Sequence, residues 1–463
     1  MNLLLTHAYF LSEDAKEQQI MRPYPPLGIL YISAWLEQKK ISHEVFDTTF
    51  SSKNKFHEYI LLHKPAMIGL YANLMTKLNV IDTIQFLKQV LPDTIIIIGG
   101  PEVRYSAENF LKQGADYIVI GEGEQSMEEL CSLSIESLKN KEADAIDGIA
   151  FQKDNTVMKT KEREKIKDLD ELPNPNRKKI NLELYLNAWK KHHGKNTISV
   201  SSMRGCPYTC KWCSRGVYGL SYRRRSPGKV VEELLEIRRD YNPDSLWFVD
   251  DVFTISHKWL AGFRDELKIK NITIPYECIT RADRMNEDVI RMLKETGCFR
   301  VWIGAESGSQ KVIDLMDRRV DVNQVREMIR LTKKHGIEAG TFIMLGYPGE
   351  TENDIEETIH HLKESNPDYF TITLAYPIRG TELYQEVEAL QIEPPDWSTG
   401  TDRQIDFRRT YTRKYYDYAM RWVINEVGFH QKKGLQKLPL KAKALAAFML
   451  MQFYRKYKSG PTA

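Results

Sequence analysis

The chain has 463 residues, of which 42% are hydrophobic and 10% aromatic, enough for several buried cores and too apolar for general disorder. At this length two or three domains are expected, and a formal charge of +3 gives no reason to expect a nucleic-acid partner. That charge is uneven, because from Arg408 onward thirteen Lys and Arg face only Asp417 and Glu426.

The opening MNLLLTHAYF lacks a basic n-region and reads as a buried strand, not a secretory signal. No apolar run reaches the ~18 residues of a membrane span. Six cysteines, three of them within eight residues, make no disulfide scaffold. The expectation is a reduced, cytoplasmic protein with a metal or redox site.

In chain order, strands are predicted at Asn2–His7, Glu44–Asp47, Met67–Tyr71, Thr94–Ile98 and Tyr117–Ile120, with helices at Gly28–Lys40, Lys77–Leu91, Ala107–Gln113 and Gln125–Leu133. Continuous apolar strands such as IIIIGG alternating with helices imply an α/β, doubly wound, Rossmann-like parallel sheet over residues 1–135. Residues 136–195 are polar and proline-punctuated (DLDELPNPN) and read as a linker. A second alternation follows over 196–384. Its strands are Thr197–Met203, Ser245–Val249, Pro275–Ile279, Phe299–Ile303, Ala339–Leu345 and Tyr369–Leu374, with helices between, which suggests a partial (β/α)6 barrel. Barrel chemistry sits at the C-terminal strand ends, and each motif below follows a strand. Residues 385–463 read as a mainly helical region. Its end, LPLKAKALAAFMLMQFYRKYK, is cationic and amphipathic: either a helix covering the barrel with a solvated basic face, or a peripheral contact with a membrane surface or lipid-like substrate.

After the first barrel strand, RGCPYTCKWCSRG spaces Cys206, Cys210 and Cys213 as C-x3-C-x2-C. Thiolates ligate iron–sulfur clusters, and three of them leave one iron of a four-iron cube open. The competing reading, structural zinc, wants a fourth Cys or His, and His192 and His193 precede the strand.

CPYTCKWC resembles the signature loop of the radical S-adenosylmethionine (SAM) superfamily, and the resemblance covers residues 197–380. It implies a [4Fe–4S] cluster whose open iron is chelated by SAM, one-electron cleavage of SAM to methionine and a 5′-deoxyadenosyl radical, and an electron donor such as flavodoxin or ferredoxin. It further implies Trp212 near the adenine, Asp250 and Asp251 at the methionine ammonium, and Arg281 at its carboxylate. Glu306 would take the ribose hydroxyls. Gly346, with Gly340 and Gly349, would let backbone approach the adenine, and Glu350 would open the next helix. As bare residues, Trp212 could fill a core gap and the Asp pair could cap a turn. Cys131, Cys278 and Cys298 read as structural.

In the front domain, RPYPPLGILYISAWL, IGLYANLMT, IIIIGGPEV and ADYIVIGEGEQS resemble the cobalamin-binding domain that precedes many radical SAM barrels. The carboxyl edge of an open sheet is where such ligands bind. The resemblance places Asn73, Leu74 and Met75 under the ring and makes Tyr71, just before them, a further cobalamin-binding residue. Gly99, Gly100, Pro101, Glu102, Gly121, Glu122 and Gly123 would lie along the tail. No D-x-H-x-x-G loop is present, so cobalt would lack a protein histidine, or the domain has kept only its fold. Methylthiotransferases are disfavoured, since only Cys131 precedes residue 200.

The resemblance implies a cobalamin-dependent enzyme that methylates an unactivated carbon of a small-molecule or lipid-like substrate. The alternative is oxidation, cyclisation or rearrangement of the anaerobic magnesium-protoporphyrin ester cyclase type, and further off a non-catalytic cobalamin- or metal-binding module.

Overall fold

A computed structural model describes residues 2–455. The chain forms two compact units: residues 1–207, 215–246 and 395–402, and residues 208–214, 247–394 and 403–463.

In the first unit, β1 (Leu3–Thr6), β2 (Glu44–Val45), β3 (Met67–Tyr71), β4 (Ile95–Gly99) and β5 (Tyr117–Val119) are parallel in the order β2-β1-β3-β4-β5. These strands read as unbroken apolar runs because both faces are covered. Leu4, Ile68, Ile96 and Ile98 enter one core, and Leu5, Met67, Ile95 and Ile97 the other. Between β1 and β3 the winding reverses, and ligands bind beyond the strand ends at such a point.

The stretch expected to be irregular extends this sheet. β6 (Ile149–Lys153) pairs antiparallel with β5, and β7 (Thr156–Lys159) pairs with β6. The hairpin escapes a hydropathy reading because only Ile149, Ala150 and Phe151 are buried, while β7 is an exposed polar edge. Helix Leu182–His193 lies in the same stretch, closed by Gly194 in the left-handed conformation. Residues 395–402 also belong to this unit. Trp397 sets its ring 4.8 Å from Phe110, edge-on, and donates from Nε1 to Ser106 Oγ at 3.1 Å.

β8 (Thr197–Val200), β9 (Met203–Arg204) and β10 (Arg223–Arg224) follow, β9 and β10 pairing antiparallel. β11 (Ser245–Phe248), β12 (Tyr276–Thr280), β13 (Cys298–Glu306), β14 (Glu338–Leu345) and β15 (Tyr369–Leu374) complete a six-stranded sheet of order β15-β14-β13-β12-β11-β8. The pairings β12–β13, β13–β14 and β14–β15 are parallel, as in an open β/α barrel. Helices Arg413–Gln431 and Leu438–Phe453 make the C-terminal region helical. Residues 456–463, the end of the basic tail singled out above, lie outside the described residues. Among the described residues no helix is long and apolar enough to cross a membrane.

Candidate functional site

In the first unit, a cavity of about 210 Å³ opens at the C-terminal strand ends. Its floor is apolar, from Leu5, Ile97, Val119 and Met127, and its wall carries six glycines: Gly28, Gly69, Gly99, Gly100, Gly121 and Gly123. Two are required by geometry. Gly100 has φ +107°, and a Cβ there would stand 2.4 Å from Ala72 O; Gly121 has φ +95°, a backbone conformation that other residues adopt only under strain.

Of the predicted cobalamin residues, Tyr71, Gly99, Gly100, Gly121, Glu122 and Gly123 all line this cavity. The others do not. Asn73, Leu74 and Met75 form the loop after β3, where Asn73 Oδ1 accepts from Met75 N and Thr76 N at 2.8 and 3.0 Å. Pro101 and Glu102 turn away from β4, and Glu102 N donates to Ala72 O at 3.3 Å. Burial pushes the Tyr71 phenol up to about 12, so it stays a neutral donor.

Glu122 does more than rim the cavity. Its carboxylate accepts from Arg204 Nη1 at 2.7 Å, Arg223 Nη1 at 2.6 Å and Ile166 N at 3.0 Å, while Glu124 takes Arg204 Nη2 at 2.5 Å. Buried charges persist only when paired in this way. The GEGE motif therefore anchors Arg204, two residues before Cys206. Arg204 and Tyr218 also line the cavity, and sequence reading missed both. Gly205 must be glycine: at φ +83° its Cβ would meet Ser221 Oγ at 2.3 Å.

In the second unit, Tyr208–Ser214 carries the other two loop cysteines. Thr209 Oγ1 donates to Asp317 Oδ2 at 2.7 Å, Lys211 N donates to Met316 O at 3.2 Å, and Leu383 N donates to Lys211 O at 2.9 Å. Trp212 packs on the cluster formed by Val312, Met316, Met344, Tyr347 and Leu383. Cys210 is buried and Cys213 exposed. Two guanidiniums reach Cys210 Sγ, Arg281 Nη1 and Arg318 Nη1, each at 3.7 Å.

Arg281 lies at the end of β12, 2% exposed, with its guanidinium 3.7 Å from the Tyr208 ring centroid and bonded to Asp283 and Arg318 O. Arg318, which the sequence reading did not single out, donates to Gly304 O at 3.0 Å, stands 3.7 Å from Glu306 Oε1 and lies 5.8 Å from the Trp212 ring. The signal for it was the Arg318–Arg319 pair just past the short helix Gln310–Leu315 that follows WIGAESGSQ.

The remaining strand ends carry acids. Asp250 is buried past β11, and Asp251 beside it reaches the surface, its carboxyl pushed up by surrounding protein and then by Asp250. Glu306 ends β13 with φ +66°, and enclosure pushes its carboxyl up against the pull of Arg318. Gly346, past β14, has φ +75° and donates from its amide to Glu350 Oε2 at 2.5 Å. Burial pushes Glu350 up to about 8.

Among the described residues no three His, Cys, Asp or Glu side chains are placed to hold a single metal ion. A cube differs from such a site because each thiolate takes a different iron, which leaves the sulfurs well apart.

The radical SAM superfamily model matches residues 200–362, and the B12 binding domain model matches residues 20–131. An uncharacterized methyltransferase, PH0819 of Pyrococcus horikoshii, is 28% identical over 383 residues, covering 81% of each chain. The anaerobic magnesium-protoporphyrin IX monomethyl ester cyclase of Rubrivivax gelatinosus is 26% identical over 84% of this chain and 70% of its own. Of solved structures, the cobalamin-dependent SAM radical enzyme OxsB superposes with TM-score 0.74 at 16% identity, over 97% of this chain and 72% of its own. The radical SAM methyltransferase TsrM of Kitasatospora setae superposes with TM-score 0.71 at 13% identity, over 98% and 99%.

The residues present suit the cofactors of these domains. A glycine-rimmed cavity with an apolar floor suits the nucleotide tail of cobalamin, and a thiol between two guanidiniums suits a cluster ligand. The chain is a radical SAM enzyme with an N-terminal B12-binding domain.

Proposed function

We propose that the chain is a cobalamin-dependent radical SAM methyltransferase acting on an unactivated carbon of a small-molecule or lipid-like substrate in the cytoplasm, with electrons drawn from a flavodoxin or ferredoxin. The observation that carries this reading is an ordered series: a three-thiol loop, then Asp250–Asp251, Arg281, Glu306 and Gly346 at the ends of four successive strands. The glycine-rimmed cavity of the other unit supports it. Bound in these sites, the cluster, SAM and cobalamin supply a hydrogen-abstracting radical and a transferable methyl group.

The protein's own residues hold and orient. Cys206, Cys210 and Cys213 each hold one iron, and Arg281 and Arg318 aim N–H groups at the Cys210 sulfur. Asp250 and Asp251 accept from the methionine ammonium, and Arg281 stands at its carboxylate. Glu306 accepts from the ribose hydroxyls. Trp212 and the Gly346 backbone border the adenine. Gly99, Gly100, Gly121 and Gly123 admit the cobalamin tail between Tyr71 and Glu122. Asn73, Leu74 and Met75 offer the ring a face without a coordinating histidine.

The test is anaerobic reconstitution and turnover, counting products. Methyl transfer requires one 5′-deoxyadenosine and one S-adenosylhomocysteine per methylated product. Product formed without S-adenosylhomocysteine would overturn it in favour of cyclase-type oxidation. Reconstituted protein with no iron, or unable to cleave SAM once reduced, would overturn the whole reading.

A further inference from the structure

Helix Leu438–Phe453 is apolar on two opposite faces, and only one of them is used within the second unit. Ala444, Ala447 and Met451 are buried, and Phe448 meets Trp422 with ring centroids 4.9 Å apart. At about 100° per residue, Leu438, Leu445, Met449 and Phe453 share the outer face. They are 58%, 57%, 58% and 78% exposed, and Ala442 and Ala446 between them are exposed too. Leu435, in the turn before the helix, is 82% exposed. Single exposed apolar residues need no explanation, but a continuous row along four turns marks an interaction surface.

Charge identifies the occupant. Lys441 and Lys443 fall at the two margins of this outer arc, and Lys432, Lys433 and Lys437 precede it. Of these, Lys441 is paired, with Glu426 at 3.1 Å. No Asp or Glu occurs after Glu426. A second copy seated on this face in a twofold dimer would bring lysine margin against lysine margin, an arrangement that repels. An anionic bilayer surface matches both features, taking the apolar row into the acyl boundary while the flanking ammonium groups stay among the headgroups. The helix has 16 residues, too short and too solvated at its margins to span, so it lies in the surface.

We propose that the outer face of Leu438–Phe453 docks the enzyme on anionic lipid surfaces. This is independent of the reaction proposed above.

The experiment uses the full reconstituted chain with sedimenting vesicles of phosphatidylcholine, with and without phosphatidylserine. Binding is expected to vesicles that contain phosphatidylserine, and to fall at least about tenfold from 0.1 M to 0.5 M salt as the charges are screened. The double variant Leu445→Asp/Phe453→Asp and the charge reversal Lys433→Glu/Lys443→Glu should each lose about tenfold in binding. Both should keep wild-type iron content and melting temperature, because these side chains are solvent-exposed. Failure of the wild type to bind anionic vesicles overturns the proposal. So does equal binding to neutral vesicles, or a wild-type dimer that Leu445→Asp/Phe453→Asp turns into monomer without any change in lipid binding.

Discussion

Replacing Glu350 by glutamine tests the electrostatics at the end of β14 quantitatively. Glu350 is 0% exposed; Oε2 accepts from the Gly346 amide at 2.5 Å, and Oε1 has no hydrogen-bond partner among the described residues. Burial is the largest influence and outweighs the Gly346 amide, Lys311 and Arg409, moving the carboxyl from 4.5 to about 8. At pH 7 the native protein therefore keeps a proton that the unfolded chain has released. The native state binds more protons between these two values, so the stability linked to Glu350 is complete below about 4.5 and declines as pH rises, the loss ending just above 8. At 1.36 kcal/mol per pH unit the full decline is at most about 5 kcal/mol. Glutamine has the same shape, can still accept from Gly346, and carries no proton to lose. Glu350→Gln should match wild type at pH 5 and exceed it at pH 8.5 by several kcal/mol, seen as a melting temperature higher by at least about 5 °C. Anaerobic thermal unfolding of both proteins at both pH values measures this, and taking the difference between proteins cancels other titrating groups. A gap of equal size at the two pH values, or a glutamine variant less stable at pH 8.5, would refute the reasoning.

Gly100→Ala should cost more than about 2 kcal/mol, because it forces a Cβ to 2.4 Å from Ala72 O at φ +107°. A lowered melting temperature, together with loss of the bound-cobalamin absorbance, checks it. Arg318→Leu removes a cation and an N–H from Cys210 Sγ, which disfavours the more negative reduced cluster. The midpoint in an electron-paramagnetic-resonance titration should fall by on the order of 59 mV, a tenfold shift in a one-electron equilibrium, whereas Arg318→Lys, which keeps the charge, should recover part of it.

The parallel strands and the strand-end motifs were legible in the sequence because each is local. β3 and β15 run over the predicted Met67–Tyr71 and Tyr369–Leu374. A strand buried on both faces writes an unbroken apolar run, and a thiol loop writes its three cysteines within a few residues. What remained hidden depends on partners distant in the chain. The β6–β7 hairpin has one exposed polar strand and joins the sheet only because the β5 edge awaits a partner.

Arg204 and Arg318 look like ordinary surface arginines until folding sets Glu122 and Glu124 against one and Cys210 and Glu306 against the other. Residues 395–402 carry no periodic signal, yet Trp397 packs on Phe110 and belongs to the first unit. The sequence alone determined the two sheets, the three-cysteine loop and the glycine rim. Tertiary structure alone decided which charges pair and which glycines are obligatory, since the energy of a buried charge or of a close backbone approach is set by neighbours that chain order does not place side by side.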